Sequence, residues 1–430
     1  MSEPALRPEP VLRLEPEPDP RRWRVVALAG TLFVLSQFYR VANAVVAPDL
    51  QRDLGLSSEA LGGISAAFFY AFAAAQVPLA VVLDRLGARR IMAALTLAGA
   101  GGAAVFSVAT GVTGATVGRA LLGIGMAGNL MGSLKLVSRW FPPRQFATVA
   151  GLILGLGTFG NILAATPLVL LVEALGWRRA FVVIAVATAV LAALFWAVVR
   201  EAPAGAAPPE ATHAEATGAP TATGARARLL LGSRDYWLIS LGAFCRYGTF
   251  AAIQGLWVAP WLVDVVGLSP VRAANLIVVM NVGLVVGAPL GGWLSDHVLA
   301  SRKRLALLGL GGLAAAELAL AFLGRGSGWW TVALVLAVLG VASSFGQVLY
   351  AHVKDVMPEG MAGMAMTGVN FFVMFGAAAF LHVMGWILDA RSLPGGARTA
   401  AGYEAAFLLA GVSTAVAFLA YFLTREPKPR

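Results

Sequence analysis

A chain of 430 residues that is 59% hydrophobic and only 13% charged is too apolar to present a water-facing surface, which excludes a soluble globular protein. The formal net charge of +10 does not mark a nucleic-acid binder, because the basic residues are scattered through short connections between apolar runs, as topology signals are. The single cysteine, Cys245, excludes an internal disulfide framework.

A membrane-crossing helix with its loop takes roughly 30–35 residues, so this length accommodates about twelve spans. In chain order, residues 1–24 are polar and rich in Pro and Glu, carry no signal peptide, and read as a cytoplasmic tail. Apolar windows then predict spans near 26–48, 60–82, 91–110, 115–137, 147–172 and 180–199, a first six-helix bundle over residues 25–199. Residues 200–234 open on REAPAGAAPPEATHAEATGAPTATGARAR, an Ala/Pro/Thr/Gly-rich stretch that reads as a flexible cytoplasmic linker. A second bundle over 235–424 has spans near 236–263, 274–294, 305–323, 329–351, 362–388 and 403–423, followed by a short tail at 425–430. All spans must be helical, since lipid offers no partner to an open backbone. Lys and Arg gather at the termini, the linker and the even-to-odd connections, which places those segments in the cytoplasm.

Two arginines stand inside apolar spans, one per half: Arg40 in TLFVLSQFYRVANAVVAP and Arg246 in WLISLGAFCRYGTFAAIQGLWVAP. A cation near the middle of a bilayer costs at least a few kcal/mol, so such residues face a watery cavity or a ligand. A guanidinium is planar, permanently charged and matched to a carboxylate or phosphate. Asp49, Asp264 and Asp389 fall at helix ends, so the arginines are expected to find no acidic partner inside a span. Tyr39 and Tyr247 flank them and could donate to an anion. Gln254, two turns after Arg246, together with Asn161 and Asn370, are the favoured polar cavity residues, and Lys135 either reaches the ligand or snorkels to the cytoplasmic face. Arg119 begins the fourth span and reads as structural, while His352 and His382 read as packing residues. No metal-ligand cluster, cofactor motif or nucleophile–base pair is evident, so neither a metal nor a cofactor is expected, and an enzyme is not.

A second feature repeats between the halves. After the second span comes LAVVLDRLGARR, with Asp84, Arg85, Gly87, Arg89 and Arg90; after the eighth comes GGWLSDHVLASRKR, with Asp296, Arg302, Lys303 and Arg304. An acid at the end of one helix can accept hydrogen bonds from the N-terminus of another, where the macrodipole favours an anion. Such a contact would form a latch that holds one conformational state.

This loop resembles the G-x-x-x-D-R-x-G-x-R-R signature of the major facilitator superfamily, with Ala80 in place of the first glycine. GRALLGIGMAG, RWFPPRQ and GWRR add to the likeness, which covers essentially residues 24–423. The resemblance implies an all-α membrane protein of twelve transmembrane helices in two pseudo-symmetric six-helix bundles. It also implies a secondary transporter, normally a monomer, in the bacterial inner membrane. The surroundings of Arg40 and Arg246 are similar to the organophosphate:phosphate antiporter family and its anion–cation symporter-like branch. By that resemblance the two arginines bind the substrate anion. The family's histidine on the fifth span has no counterpart here, and Gln76 replaces a basic residue on the second. Fewer cations favour a carboxylate or singly charged anion over a phosphate ester. With no acid expected in the spans, exchange of anions is favoured over proton coupling. The rivals are a proton-coupled exporter of amphipathic compounds and a non-transporting solute sensor of the same fold.

Overall fold

The computed structural model describes residues 20–203, 228–324, 326–358, 361–394 and 396–426; the side chains of Ala80, Val81, Asp84, Pro143, Arg144, Ala147, Thr158, Pro270, Asp296 and Ala362 also lie outside the description. Most of the expected N-terminal tail and linker therefore fall outside the described residues. Among those residues eleven helical stretches are long and apolar enough to cross a membrane. A twelfth, Arg234–Asp264, has the length to cross but is interrupted by a π-helical turn. The chain is a multi-pass membrane protein.

The first six crossings are α1 (Arg21–Leu54), α2 (Ser58–Leu86), α3 (Ala88–Ser107), α4 (Val112–Trp140), α5 (Pro143–Leu163, continued by Thr166–Leu175) and α6 (Trp177–Val198). The second six are α7 (Arg234–Ala252, the π turn Ile253–Trp257, then Val258–Asp264), α8 (Pro270–Trp293, ending in the π turn Leu294–Val298), α9 (Arg302–Phe322), α10 (Trp329–Val356), α11 (Ala362–Ala390) and α12 (Ala400–Tyr421). Apolar and small residues dominate all of them, and lipid leaves helix as the backbone's only self-satisfied form.

The two halves pack by one plan. In the first, α1 lies on α5, α2 on α4, and α3 on both α4 and α6; in the second, α7 lies on α11, α8 on α10, and α9 on both α10 and α12. Glycines allow these approaches at repeat-related places. A Cβ on Gly123 of α4 would sit 2.1 Å from the Phe68 carbonyl oxygen of α2, and one on Gly340 of α10 would sit 2.0 Å from that of Met280 on α8. Gly160 against Val34 and Gly376 against Phe244 do the same for α5–α1 and α11–α7, each at 2.2 Å. Small residues at these crossings bring backbones together where lipid supplies no hydrophobic drive.

Helices α4 and α10 are both broken near mid-span, at residues 127–128 and 346–347. A break frees carbonyls that lipid cannot satisfy, and side chains of neighbouring helices take them up. Ser36 and Gln76 donate to the Met126 and Ala127 carbonyls (3.3 and 3.4 Å), while Arg246 donates to that of Ser343 (2.8 Å).

Between the halves, α2 packs closely along α11, and α1 touches the π turn of α7. The repeat-related pair, α5 and α8, makes no comparable contact among the described residues.

Candidate functional site

A cavity lies between the bundles, lined on one side by Arg40, Asn43, Ser65 and Arg119, and on the other by Tyr247, Gln254 and Gly255. It encloses about 400 Å³ of non-atom space, much of it open to solvent, of which only about 30 Å³ admits the centre of a water-sized sphere, so the cavity is narrow in this conformation. Each lining group has a local cause. Arg40 follows the tight α1–α5 crossing, and its guanidinium lies over the Phe72 ring at 4.7 Å. Arg119 is 1% exposed, donates Nη1 to the Tyr39 carbonyl (2.8 Å), and lies 4.7 Å over the Phe68 ring. Both rings present their negative faces to the cations. The π turn widens α7 by one residue, which carries Gln254 and Gly255 to the cavity wall; such turns recur at functional sites. Gln254 donates to Asn281 at 2.6 Å, and Asn43 donates to Ser65 at 2.6 Å.

The electrostatics are one-sided. Among the described residues no carboxylate pairs with Arg40, Arg119 or Arg246. Arg40 Nε and the Nε and Nη2 of Arg119 are buried with no hydrogen-bond partner, as is the Oδ1 of Asn43. Buried polar groups are nearly always bonded, so a cluster of unmatched donors at a cavity marks the place of an acceptor. Two cations without a counterion suit an anion, which would gain charge-assisted hydrogen bonds there.

The expected site residues divide. Arg40, Tyr247 and Gln254 meet at the cavity. Arg246 is buried close by, 5.5 Å from the Tyr247 ring centre, but its guanidinium is bound to the α10 break. Tyr350, within electrostatic reach of Arg246 and Arg40, donates to Asn370 at 3.0 Å, so Asn370 joins this group through a residue the sequence did not single out. Tyr39 turns its hydroxyl to Thr188 (2.8 Å), inside the first bundle. Lys135 donates to the Leu83 carbonyl near the end of α2, and Asn161 is exposed on α5; neither is among the cavity-lining residues.

The repeated loops bind within their own bundles. The side chains of Asp84 and Asp296 lie outside the described residues. Gly87 enters α3 at φ 84°, a left-handed value that glycine adopts without strain. The α3 N-terminus is capped by Glu201, which accepts from the Ala88 and Arg89 amides (both 2.9 Å) and pairs with Arg139 (2.8 Å). Arg89 donates to the Trp196 carbonyl and stacks on its ring, whereas Arg85 and Arg90 are exposed. In the second half Arg302 pairs with Asp355 (2.9 Å), Arg304 receives its cap from Ser301, and Lys303 donates to the Phe422 and Thr424 carbonyls.

One sequence reading needs correction and another is extended. Arg119, read as structural at the start of its span, does bond the Tyr39 carbonyl, and it also lines the cavity. A carboxylate does lie well inside a span: Glu317, in the run LAAAELALAF of α9, is fully buried and accepts from Thr414 (2.7 Å). It sits in the α9–α12 packing and is not among the cavity-lining residues. Of the histidines, His352 is enclosed between Tyr421 and the Arg425 carbonyl, and His382 is exposed beside Gly63.

The fold and sequence have known counterparts. In structure the chain superposes on a bacterial homolog of the human lysosomal transporter Spinster, in an inward-facing and unoccupied conformation, with a TM-score of 0.74 over 94% of this chain and 97% of that one at 19% identity. A D-xylose–proton symporter gives 0.71 over 95% and 99% at 16% identity. In sequence it is 23% identical to the probable galactarate/D-glucarate transporter of Bacillus subtilis, over 95% of this chain and 93% of that one. It is 26% identical both to the hexuronate transporter of Bacillus subtilis, over 91% of each chain, and to a putative tartrate transporter of Agrobacterium vitis, over 88% and 87%. The family description that its sequence matches, over residues 27–253 and 239–430, covers both bundles, and the chain belongs to the Major Facilitator Superfamily, a transporter and not an enzyme.

Proposed function

We propose that this protein carries a small organic anion across the bacterial inner membrane by alternating access, as a monomer, with both termini and the linker in the cytoplasm. The observation that carries this reading is the pair of half-buried Arg40 and fully buried Arg119 at one cavity, with unmatched buried donors and no acidic partner among the described residues. The anion bridges these two guanidinium groups, relieves their mutual repulsion and restores the missing hydrogen bonds. Asn43 and Ser65 beside the arginines, and Tyr247 and Gln254 on the opposite wall, supply amide and hydroxyl groups, where a hydroxylated carbon chain would find both donors and acceptors. Hydroxycarboxylates suit this lining better than phosphate esters do, and relatives named for galactarate, glucarate, hexuronate and tartrate support that choice.

Counterflow in proteoliposomes against phosphate esters, mono- and dicarboxylates and neutral sugars tests the reading. Carboxylates should exchange and neutral sugars should not, while Arg40→Ala and Arg119→Ala should each abolish exchange in folded protein. Normal exchange in both variants would remove the basis of the proposal. Glu317 withdraws the argument from a missing acid against proton coupling, so the same vesicles with an imposed pH gradient separate symport from exchange. Flux of any substrate sets aside the sensor reading.

A further inference from the structure

Glu317 of α9 is 0% exposed, and among the described residues no Lys, Arg or His pairs with it. Its Oε2 lies 2.7 Å from the Thr414 hydroxyl of α12, which lies 3.4 Å from the Thr249 hydroxyl of α7. Thr249 in turn donates to the Cys245 carbonyl at 2.9 Å, one residue before Arg246. The other carboxyl oxygen, Oε1, is buried with no hydrogen-bond partner. Two hydroxyl protons are thus shared among five oxygen atoms, and the cluster is short of positive charge. Its surroundings supply none. From α7 the Cys245 thiol lies within electrostatic reach. On α12, Tyr403 and Tyr421 are turned to Asp264 and His352, and Glu404 is exposed. The stretch Trp329–Phe345 of α10 holds no ionisable side chain, and Arg302, Lys303 and Arg304 stand at the start of α9, about 20 Å away by the helical rise.

We propose that Glu317 is a proton-binding site within the second bundle, and that the proton it takes up crosses with the anion. An ionised carboxylate enclosed among apolar helices without a cation costs several kcal/mol, and a bound proton removes that cost. The row of oxygens accepts one proton in a single consistent order. Placed on Oε2, it is donated to Thr414; Thr414 then donates to Thr249, and Thr249 to the Cys245 carbonyl. When the proton leaves, Thr414 must turn its own hydrogen to Oε2, and the hydrogen bond from α12 to α7 is lost. That bond stands one turn before the π turn at Ile253–Trp257, which forms the cavity wall, so the proton is felt where the anion binds. Charge supplies the pairing. A monocarboxylate offsets one of the positive charges on Arg40, Arg119 and Arg246, while the proton offsets the negative charge on Glu317. The charge enclosed by the helices is therefore the same with both bound as with neither, and either alone changes it by one unit, which a low dielectric penalises. This inference rests on the reading that the protein carries an organic anion, and it names the ion that accompanies it.

Two measurements test it, and one needs no substrate. The infrared difference spectrum between the unaltered protein and Glu317→Gln, in nanodiscs at neutral pH, should contain the carbonyl stretch of a protonated carboxylic acid that shifts in deuterium oxide. The second uses proteoliposomes with the membrane potential clamped by valinomycin and equal potassium, and labelled glucuronate, tartrate or glucarate, whichever shows counterflow. The unaltered protein should accumulate the acid toward about tenfold for each unit by which the outside is more acidic, the ratio for one proton per anion. Glu317→Gln is permanently neutral, so it should lose this accumulation and keep counterflow. Thr414→Val cuts the row and should weaken accumulation while counterflow persists; it decides the question alone if Glu317→Gln fails to fold. A difference spectrum without the band, or equal accumulation by the unaltered protein and the variant, would overturn the proposal. Absence of counterflow with every carboxylate would instead overturn the anion reading and the symport with it, and the infrared band would still report the proton site.

Discussion

Arg119 shows how much a single side chain contributes once its surroundings are fixed. One of its guanidinium nitrogens is spent on the Tyr39 carbonyl, which orients the others, and those others have no partner within the protein. An ammonium cannot serve both ends, so Arg119→Lys should keep the charge yet lower the transport kcat/KM by at least about tenfold, measured as initial exchange rates. Glu317 is the contrasting case, because it lies in the α9–α12 packing and outside the cavity lining. Glutamine retains an acceptor for Thr414 and fills the same volume, so Glu317→Gln should leave the melting temperature nearly unchanged. Glu317→Ala should cost about 2–4 kcal/mol of stability by opening a cavity and leaving the Thr414 hydroxyl only its longer contact to Thr249 (3.4 Å). At this scale the sequence was partly legible. A charged letter within an apolar run is visible to inspection, which is how Arg40 and Arg246 stood out. Depth within a span was harder to read, because Arg119 lies near a helix start in the chain while the bundle encloses it.

At the scale of the helix, the number and order of spans could be read from hydropathy alone, since the bilayer enforces both length and composition. The irregularities could not. The span around it carries no regular 3.6-residue polar pattern for a π turn to disturb, so the widening at 253–257 left no trace in IQGLW. Deleting Gly255 should restore an ordinary helical register, turn Gln254 away from the cavity and abolish transport while the protein still folds, as checked by exchange assay beside thermal melting. The break in α10 was equally silent, though its glycine has a specific task. A Cβ on Gly346 would lie 2.0 Å from Cδ of Arg246. Gly346→Ala should therefore dislodge Arg246 from the Ser343 carbonyl and cost about 1–3 kcal/mol, read as a lowered melting temperature. Anion affinity should change in the same variant, since Arg246 lies beside the cavity-lining Tyr247.

Over the whole molecule, the two bundles share a packing plan but not a charge plan. The cations that line the cavity, Arg40 and Arg119, both belong to the first bundle, and the second contributes Tyr247, Gln254 and Gly255 while Arg246 stays bound to α10. The repeated loops in the sequence foretold the duplication of architecture; they did not foretell this asymmetry, because it depends on which side chains turn inward. In the proposed reading this asymmetry assigns the demand for a negative charge to one half and discrimination among anions to the other, so substitutions in the two halves would alter different properties. Replacing residues 235–424 with the matching half of a hexuronate carrier should move the rank order of accepted acids, scored by competition for uptake, and still exclude every uncharged sugar.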